Sequence, residues 1–181
     1  WEARGDLPPG TVQILIDPGQ GFGTGRHEST RLCLREMAGR IDSASRVFDV
    51  GSGSGILSIA AAKLGAARVC GVEIEPAAVR NSLKNLELNG LTGKVEIVEG
   101  GPQAFASERF DLVVCNMLIQ FSAPLFPLLA MLVEPGGALI LSGFLRKESG
   151  EASGLFAGLA GRIESRAREN DWESLVWRKA K

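Results

Sequence analysis

The chain has 181 residues, 45% of them hydrophobic, which is enough for one substantial core and short for two full domains. Twenty basic residues against twenty-one acidic ones leave a formal net charge of −1, so no global field draws it to nucleic acid or to an anionic membrane. The three cysteines, Cys33, Cys70 and Cys115, are widely spaced in apolar runs, which suits buried thiols in a reducing compartment, and with His27 as the one histidine no metal site is expected. No run approaches the ~18 apolar residues of a membrane span. The charged start, WEARGDLPPG, does not have the form of a secretory signal. The expected location is the cytoplasm.

In chain order, residues 1–45 divide into a glycine-rich loop, IDPGQGFGTG, and a helix from about Arg26 to Gly39 on which Thr30, Cys33, Leu34 and Met37 share a face. This segment is expected to pack on the ligand site of a core spanning 46–181, the whole forming one domain. From Arg46 onward short β-branched runs alternate with helical patterns, the signature of a parallel sheet covered by helices. The strands read as RVFDV, RVCGVEI, KVEIV, FDLVVCN and GALILSG. Between the second and third, Pro76 suits a first helical turn, Val79, Leu83 and Leu86 fall on one face, and Gly90 can end the helix. The crossover from about Leu118 to Val133 carries Pro124 and Pro127 and is expected to kink near its start. Pro135, Gly136 and Gly137 are expected to turn the chain into the fifth strand. A weaker helix follows near 147–161, and RIESRARENDWESLVWRK reads as an antiparallel hairpin turning at ENDWE. The sum is a seven-stranded, mostly parallel sheet with a C-terminal antiparallel hairpin and helices on both faces.

The stretch FDVGSGSGILSIAAAKLGAARVCGVEIE carries the chemistry. A strand ending in Gly-x-Gly-x-Gly and opening into an apolar helix lets ligand atoms approach bare backbone. A phosphate loop is excluded because no Lys-Ser/Thr pair follows the turn. Glu73 ends the second strand at the spacing of a carboxylate that accepts from ribose hydroxyls, which suits a dinucleotide or S-adenosyl-L-methionine. Ile56 stands where the dinucleotide fingerprint has its third glycine. The reading therefore favours S-adenosyl-L-methionine, with its ribose on Glu73, its adenine near Glu99 to Gly101, including Gly100, and its methionine tail across Gly51, Ser52, Gly53 and Gly55.

Phe22, Gly23, Thr24 and Gly25 read either as a plain connection or as a lid over that site, with residues 19–25 ordering on cofactor. Glu75 reads as a helix-start residue. Asn116 ends the fourth strand and can face the cofactor or cap the following helix. Thr30, taken by itself, reads as a core threonine, and His27 as structural more readily than as a general base. Trp172 and Trp177 are expected to pack the terminal hairpin.

Together these segments resemble the class I methyltransferases, and among them the PrmA family, bacterial lysine methyltransferases of ribosomal large-subunit protein eleven. IDPGQGFGTGRHEST is similar to that family's pre-strand loop, DVGSGSGILSIAAAKLGA and GVEIEP to its cofactor segments, and VVCNMLIQ lies where it has Asn after the fourth strand. The resemblance covers nearly all the chain from about Leu15. It implies a Rossmann-like class I methyltransferase fold and cofactor contacts at Thr30, Gly51, Glu73 and Asn116. It further implies N-methylation of a lysine or N-terminal amine on a protein, a ribosomal protein being the family's substrate, with Asn116 as the catalytic residue that orients the amine. NMLI departs from the Asn/Asp-Pro-Pro-aromatic form of many amino-group methyltransferases. The alternatives are a single-domain methyltransferase of another protein or of a small molecule, and a non-catalytic cofactor-binding module.

Overall fold

The computed structural model describes residue 8 and residues 10–17, 19 and 23–181. Its strands are β1 (Arg46–Val50), β2 (Arg68–Glu73), β3 (Val95–Glu99), β4 (Phe110–Asn116), β5 (Val133–Leu145), β6 (Gly161–Glu169) and β7 (Trp172–Lys179). They form one seven-stranded sheet in the order β3-β2-β1-β4-β5-β7-β6. The first five pair in parallel, and β7 runs antiparallel to both β5 and β6. The helices are α1 (Glu28–Ala38), α2 (Ile56–Lys63), α3 (Pro76–Leu88), α4 (Ile119–Ser122), α5 (Phe126–Leu132) and α6 (Ser149–Gly154).

Alternate strand residues enter two apolar layers, because successive side chains point to opposite faces of a sheet. On one face Val47, Val69, Leu112, Val114, Ile140 and Val176 pack with Cys33 and Met37 of α1, Ile59 of α2 and Leu86 of α3. On the other, Phe48, Val72, Val113, Leu139, Leu141 and Trp177 pack with Phe126 and Leu129 of α5. Covering both faces removes the polar side of each strand, which is why the centres of β4 and β5, Leu112–Cys115 and Ala138–Leu141, read as continuous apolar runs. All three cysteines are buried and free.

The chain leaves β1 toward β2 on one side and returns at β4 on the other, so the crossovers diverge above the carboxyl ends of β1 and β4. That crevice is where open α/β sheets collect ligands. Gly51 follows β1, and Asn116 ends β4. α1 packs over β5 and β7, and Arg31 Nε and Arg35 Nη1 donate to the Glu169 carboxylate at 2.7 and 2.8 Å.

Three local expectations need correction. Leu83 does not join Val79 and Leu86 in the core and is 48% exposed. Pro135, Gly136 and Gly137 lie within β5, where the register against β4 jumps from Phe110–Val133 to Leu112–Ala138. They bulge out of the ladder, an arrangement that tolerates a proline without an N–H to donate. The helix near 147–161 contracts to a single 3₁₀ turn at Arg146–Glu148 and the six-residue α6, since Gly150, Gly154 and Gly158 recur where helix propensity is needed.

Gly143 fixes how β5 passes the end of β4. Its φ is +88°, and a Cβ there would come within 2.6 Å of the Met117 carbonyl oxygen and 2.8 Å of the Met117 nitrogen. The obstacle is backbone, so no side-chain rotation relieves it. Gly143→Ala is expected to destabilise the protein by at least about 2 kcal/mol from the left-handed conformation and overpacking together. Gly150→Ala, with nothing within 4 Å of the new methyl, is the control and is expected to leave stability equal or slightly raised. Urea unfolding of both variants is the measurement, and equal midpoints would refute the steric argument.

Candidate functional site

The glycine turn is built from positions that side chains rarely adopt. Gly51, Gly53 and Gly55 have φ of +74°, +54° and +79°, and Gly55 is the N-cap of α2 with no side chain to offer. The turn is therefore braced from outside. The main-chain N–H groups of Gly51 and Ser52 donate to the Val72 carbonyl at 2.9 and 3.0 Å. Gly53 N–H donates to Glu73 Oε2 at 2.9 Å, while Glu75 N–H donates to Glu73 Oε1 at 3.0 Å. The Glu73 carbonyl accepts from Gly100 N–H at 2.8 Å. One residue thus joins the turn after β1, the start of α3 and the end of β3.

The next link runs toward β4. A Cβ on Gly51 would lie 2.7 Å from the Met117 sulfur, so the glycine turn and the residue after Asn116 are in close approach across the crevice. Asn116 Nδ2 donates to Thr30 Oγ1 at 3.3 Å, and Thr30 is buried on α1. The sequence-predicted residues Thr30, Gly51, Gly53, Glu73, Gly100 and Asn116 are therefore linked by successive contacts along the carboxyl edge of the sheet. Ser52 belongs to the same turn, and its buried hydroxyl has no hydrogen-bond partner. Gly55 serves the turn through its backbone. Thr24 is exposed, its hydroxyl accepting from Arg26 N–H at 3.5 Å, but its neighbour Gly23 accepts from Ser54 Oγ at 2.6 Å. The loop thereby reaches the turn, while Phe22 and the centre of the expected lid lie outside the described residues.

Two alternative roles are decided by geometry. Asn116 is not a helix cap, because α4 starts at Ile119 with Leu118 as its N-cap. His27 is the N-cap of α1: its Nδ1 accepts from Ser29 N–H at 3.3 Å, and its ring meets Trp172 edge-on at 4.5 Å. Glu75 caps α3 by position, ahead of Pro76, without a side-chain bond. Among the described residues no group of three or more His, Cys, Asp or Glu could hold a metal ion.

The pattern fits a nucleoside-bearing ligand with a flexible polar tail. A carboxylate offers about four lone-pair sites, and the two bonds to Glu73 leave capacity for ribose hydroxyls. A Cβ at Gly100 would meet nothing within 4 Å, leaving open space beside the end of β3. The orphaned Ser52 hydroxyl is a further polar group without a protein partner in the turn itself. Sequence reasoning missed Asp49 and Asn85. Each carries a signal, a lone carboxylate inside the apolar run RVFDV and an asparagine among the core-facing positions of α3.

Residues 1–180 match the family described as ribosomal protein L11 methyltransferase (PrmA). The chain is 45% identical over 174 residues to the ribosomal protein L11 methyltransferase of Geobacter sulfurreducens, an alignment covering 94% of this chain and 56% of that protein. It spans about half the length of the curated relatives it matches. Among solved structures, the ribosomal protein L11 methylase of Lactobacillus delbrueckii subsp. bulgaricus superposes with a TM-score of 0.91 at 29% identity, over 100% of this chain and 92% of that one. The RNA methyltransferase of Salinibacter ruber, solved with S-adenosyl-L-homocysteine, has a TM-score of 0.66 at 22% identity, covering 82% of this chain and 90% of that one, and shares the fold.

Asp49 has the largest electrostatic consequence of the missed residues. From β1 its Oδ2 accepts from Ser58 N–H at 3.0 Å and from Ser58 Oγ at 2.7 Å, supplying the N-terminal cap that Gly55 cannot give α2. Burial pushes its carboxyl up to about 6 despite those two bonds, and the Glu73 charge acts in the same upward direction. An acid whose folded value exceeds its unfolded ~3.9 binds its proton more tightly when folded, so its contribution is full below ~4 and lost as pH rises through about 6. That interval is equivalent to about 3 kcal/mol. Asp49→Asn keeps an acceptor for Ser58 and abolishes the titration. Urea unfolding between pH 4 and 7 is expected to show the wild type losing up to about 3 kcal/mol relative to the variant across that window. Parallel curves would mean that Asp49 does not titrate there.

Proposed function

The chain belongs to the ribosomal protein L11 methyltransferase (PrmA) family, and from that premise we propose that it binds S-adenosyl-L-methionine and methylates a lysine or N-terminal amine of a ribosomal-protein-like substrate. The observation that carries the reading is the Glu73 carboxylate bonded to Gly53 N–H at 2.9 Å. It puts the expected ribose acceptor directly against the turn expected to carry the methionine tail. Gly100 would border the adenine, and Ser52 and Thr30 would supply hydroxyls to polar parts of the ligand. A ribosomal-protein acceptor implies the cytoplasm, and the net charge of −1 gives no general attraction for nucleic acid.

When bound, the cofactor supplies a methyl group on a positively charged sulfur, already activated toward a nucleophile. The chain's own task is to deliver a neutral amine in line and to exclude water. A lysine with a reference pKa of ~10.4 costs about 4.6 kcal/mol to deprotonate at pH 7. Asn116 addresses the alignment. Because its Nδ2 donates to Thr30, its Oδ1 is left to accept an N–H from the amine and turn the lone pair toward the methyl. The buried Thr30 hydroxyl sets the plane of that amide. Just beyond, Leu118 and Phe121 are 49% and 56% exposed, an apolar surface suited to the aliphatic stem of a lysine.

Two measurements test the reading. Calorimetric titration is expected to give binding of S-adenosyl-L-homocysteine and none of NAD, and Glu73→Ala is expected to weaken the former by about 1.5–3 kcal/mol, the range for hydrogen bonds to a charged group. Tight NAD binding without a response to S-adenosyl-L-homocysteine would overturn the cofactor assignment. Asn116→Ala is expected to slow methyl transfer to ribosomal large-subunit protein eleven by on the order of 100-fold, equivalent to about 2.7 kcal/mol, with a much smaller loss of cofactor affinity. Since Asn116 caps no helix, thermal unfolding should change little. Unchanged turnover in that variant would remove Asn116 from the reaction.

A further inference from the structure

Asn81 and Asn85 of α3 and Asn89, which caps its C-terminus, stand at intervals of four, so the three amides line one face. Opposite them runs the segment that precedes the glycine-rich loop, and alternate residues of that segment meet successive asparagines. Leu15 N–H donates to Asn89 Oδ1 at 3.0 Å, and Asn89 Nδ2 donates to the Leu15 carbonyl at 2.7 Å. Asp17 N–H donates to Asn85 Oδ1 at 2.8 Å, and Asn85 Nδ2 donates to the Asp17 carbonyl at 3.2 Å. Gly19 then comes against Asn81, where a Cβ would lie 2.5 Å from Asn81 Oδ1. Four helical residues rise ~6 Å and two extended residues ~6.6 Å. That near-match lets the Asn85 and Asn89 amides each present an N–H and a C=O to the main chain as a neighbouring strand would, whereas the buried Asn81 Nδ2 has no hydrogen-bond partner.

Asn85 differs from Asn89. It is fully buried, and its Nδ2 also donates to the Ser54 carbonyl, inside the glycine turn, at 2.9 Å. One side chain thus clamps the incoming segment and the turn together, and the 2.6 Å bond from Ser54 Oγ to the Gly23 carbonyl closes the same connection further along. The turn has no side chains of its own at Gly53 and Gly55 to hold this position.

We infer that Asn85 is a positioning residue for cofactor binding, setting the glycine turn in register with the Leu15–Asp17 segment without itself touching the ligand. Truncation leaves the Asp17 N–H and the Asp17 and Ser54 carbonyls without this partner, and the turn loses its tie to the loop. This rests on the cofactor reading of the turn given above, so the test has one arm that does not depend on it.

The first arm is amide exchange in cofactor-free protein. Asn85→Ala and the isosteric Asn85→Asp, which replaces the donor by an oxygen, are expected to lower protection at Gly53, Gly55 and Asp17 by about tenfold relative to Val114 in the centre of β4. Asn89→Ala is expected to expose Leu15 alone. The second arm is calorimetry, in which both Asn85 variants are expected to weaken S-adenosyl-L-homocysteine binding by about tenfold and Asn89→Ala by less than about twofold. If Asn85→Ala fails to fold, Asn85→Asp carries both arms. Unchanged protection at Gly53 and Gly55 in the Asn85 variants overturns the inference, as does Asn89→Ala matching them in either arm. Wild-type protein that does not bind S-adenosyl-L-homocysteine refutes the cofactor reading, and the exchange arm still decides the coupling.

Discussion

A turn made of glycines can take any shape, so the shape it takes must be imposed by its neighbours. Gly51, Gly53 and Gly55 leave the backbone bare, and with their side chains they give up the means of bracing themselves. Val72 and Glu73 hold the turn from β2, Asp49 fixes the helix it opens into, and Asn85 ties Ser54 to the segment outside. The braces come from β2, β1 and α3, and together they hold successive stretches of backbone between Gly51 and Ser58. The division of labour explains why three buried or half-buried polar side chains persist around an otherwise apolar framework. Each is hydrogen-bonded to backbone, as burial of such groups requires.

The pattern of elements was readable from the sequence because both faces of the sheet are covered, which turns strand positions into mainly apolar runs such as RVFDV and FDLVVCN. The site's backbone was readable for a related reason: Gly51, Gly53, Gly55 and Glu73 lie at spacings fixed by one strand–helix–strand unit. What escaped was set by distant partners. Leu83 shares the apolar periodicity of α3, yet lies on its exposed edge, a distinction that depends on how the helix is rolled against the sheet. The bulge at Pro135–Gly137 looks like an ordinary turn until β4 is beside it. Asn116 resembles a cap in sequence, and its hydrogen-bond partner Thr30 lies 86 residues away. Asp49 and Asn85 were passed over because periodicity treats a polar residue on a buried face as noise, when here it marks a hydrogen bond across elements.

The polar groups of the crevice also divide by protonation. Asp49 sits dry beneath the turn and is held at about 6 by burial, whereas Asp17, at the outer edge, is kept below the usual carboxylate range by its hydrogen bond to Lys84. The cysteines take no part in this chemistry: burial pushes the Cys115 thiol up to about 12 and Cys33 higher still, leaving both as packing groups.

The placement of α1 sets an order of events during synthesis. Its apolar face packs on β5 and β7, and its arginines reach Glu169 across 134 and 138 residues of chain. A polypeptide emerging N-terminus first can pair β1 with β2 and close the glycine turn long before the surface that receives α1 exists. Thr30 and Asn116, brought together by α1 and β4, thus depend on a helix whose largest packing surface is made last. Contacts of such long sequence separation slow folding and leave apolar surface uncovered in the interim. On a translating ribosome, the glycine-turn side of this crevice is thus the first part able to form, and the side made by Thr30 and Asn116 the last.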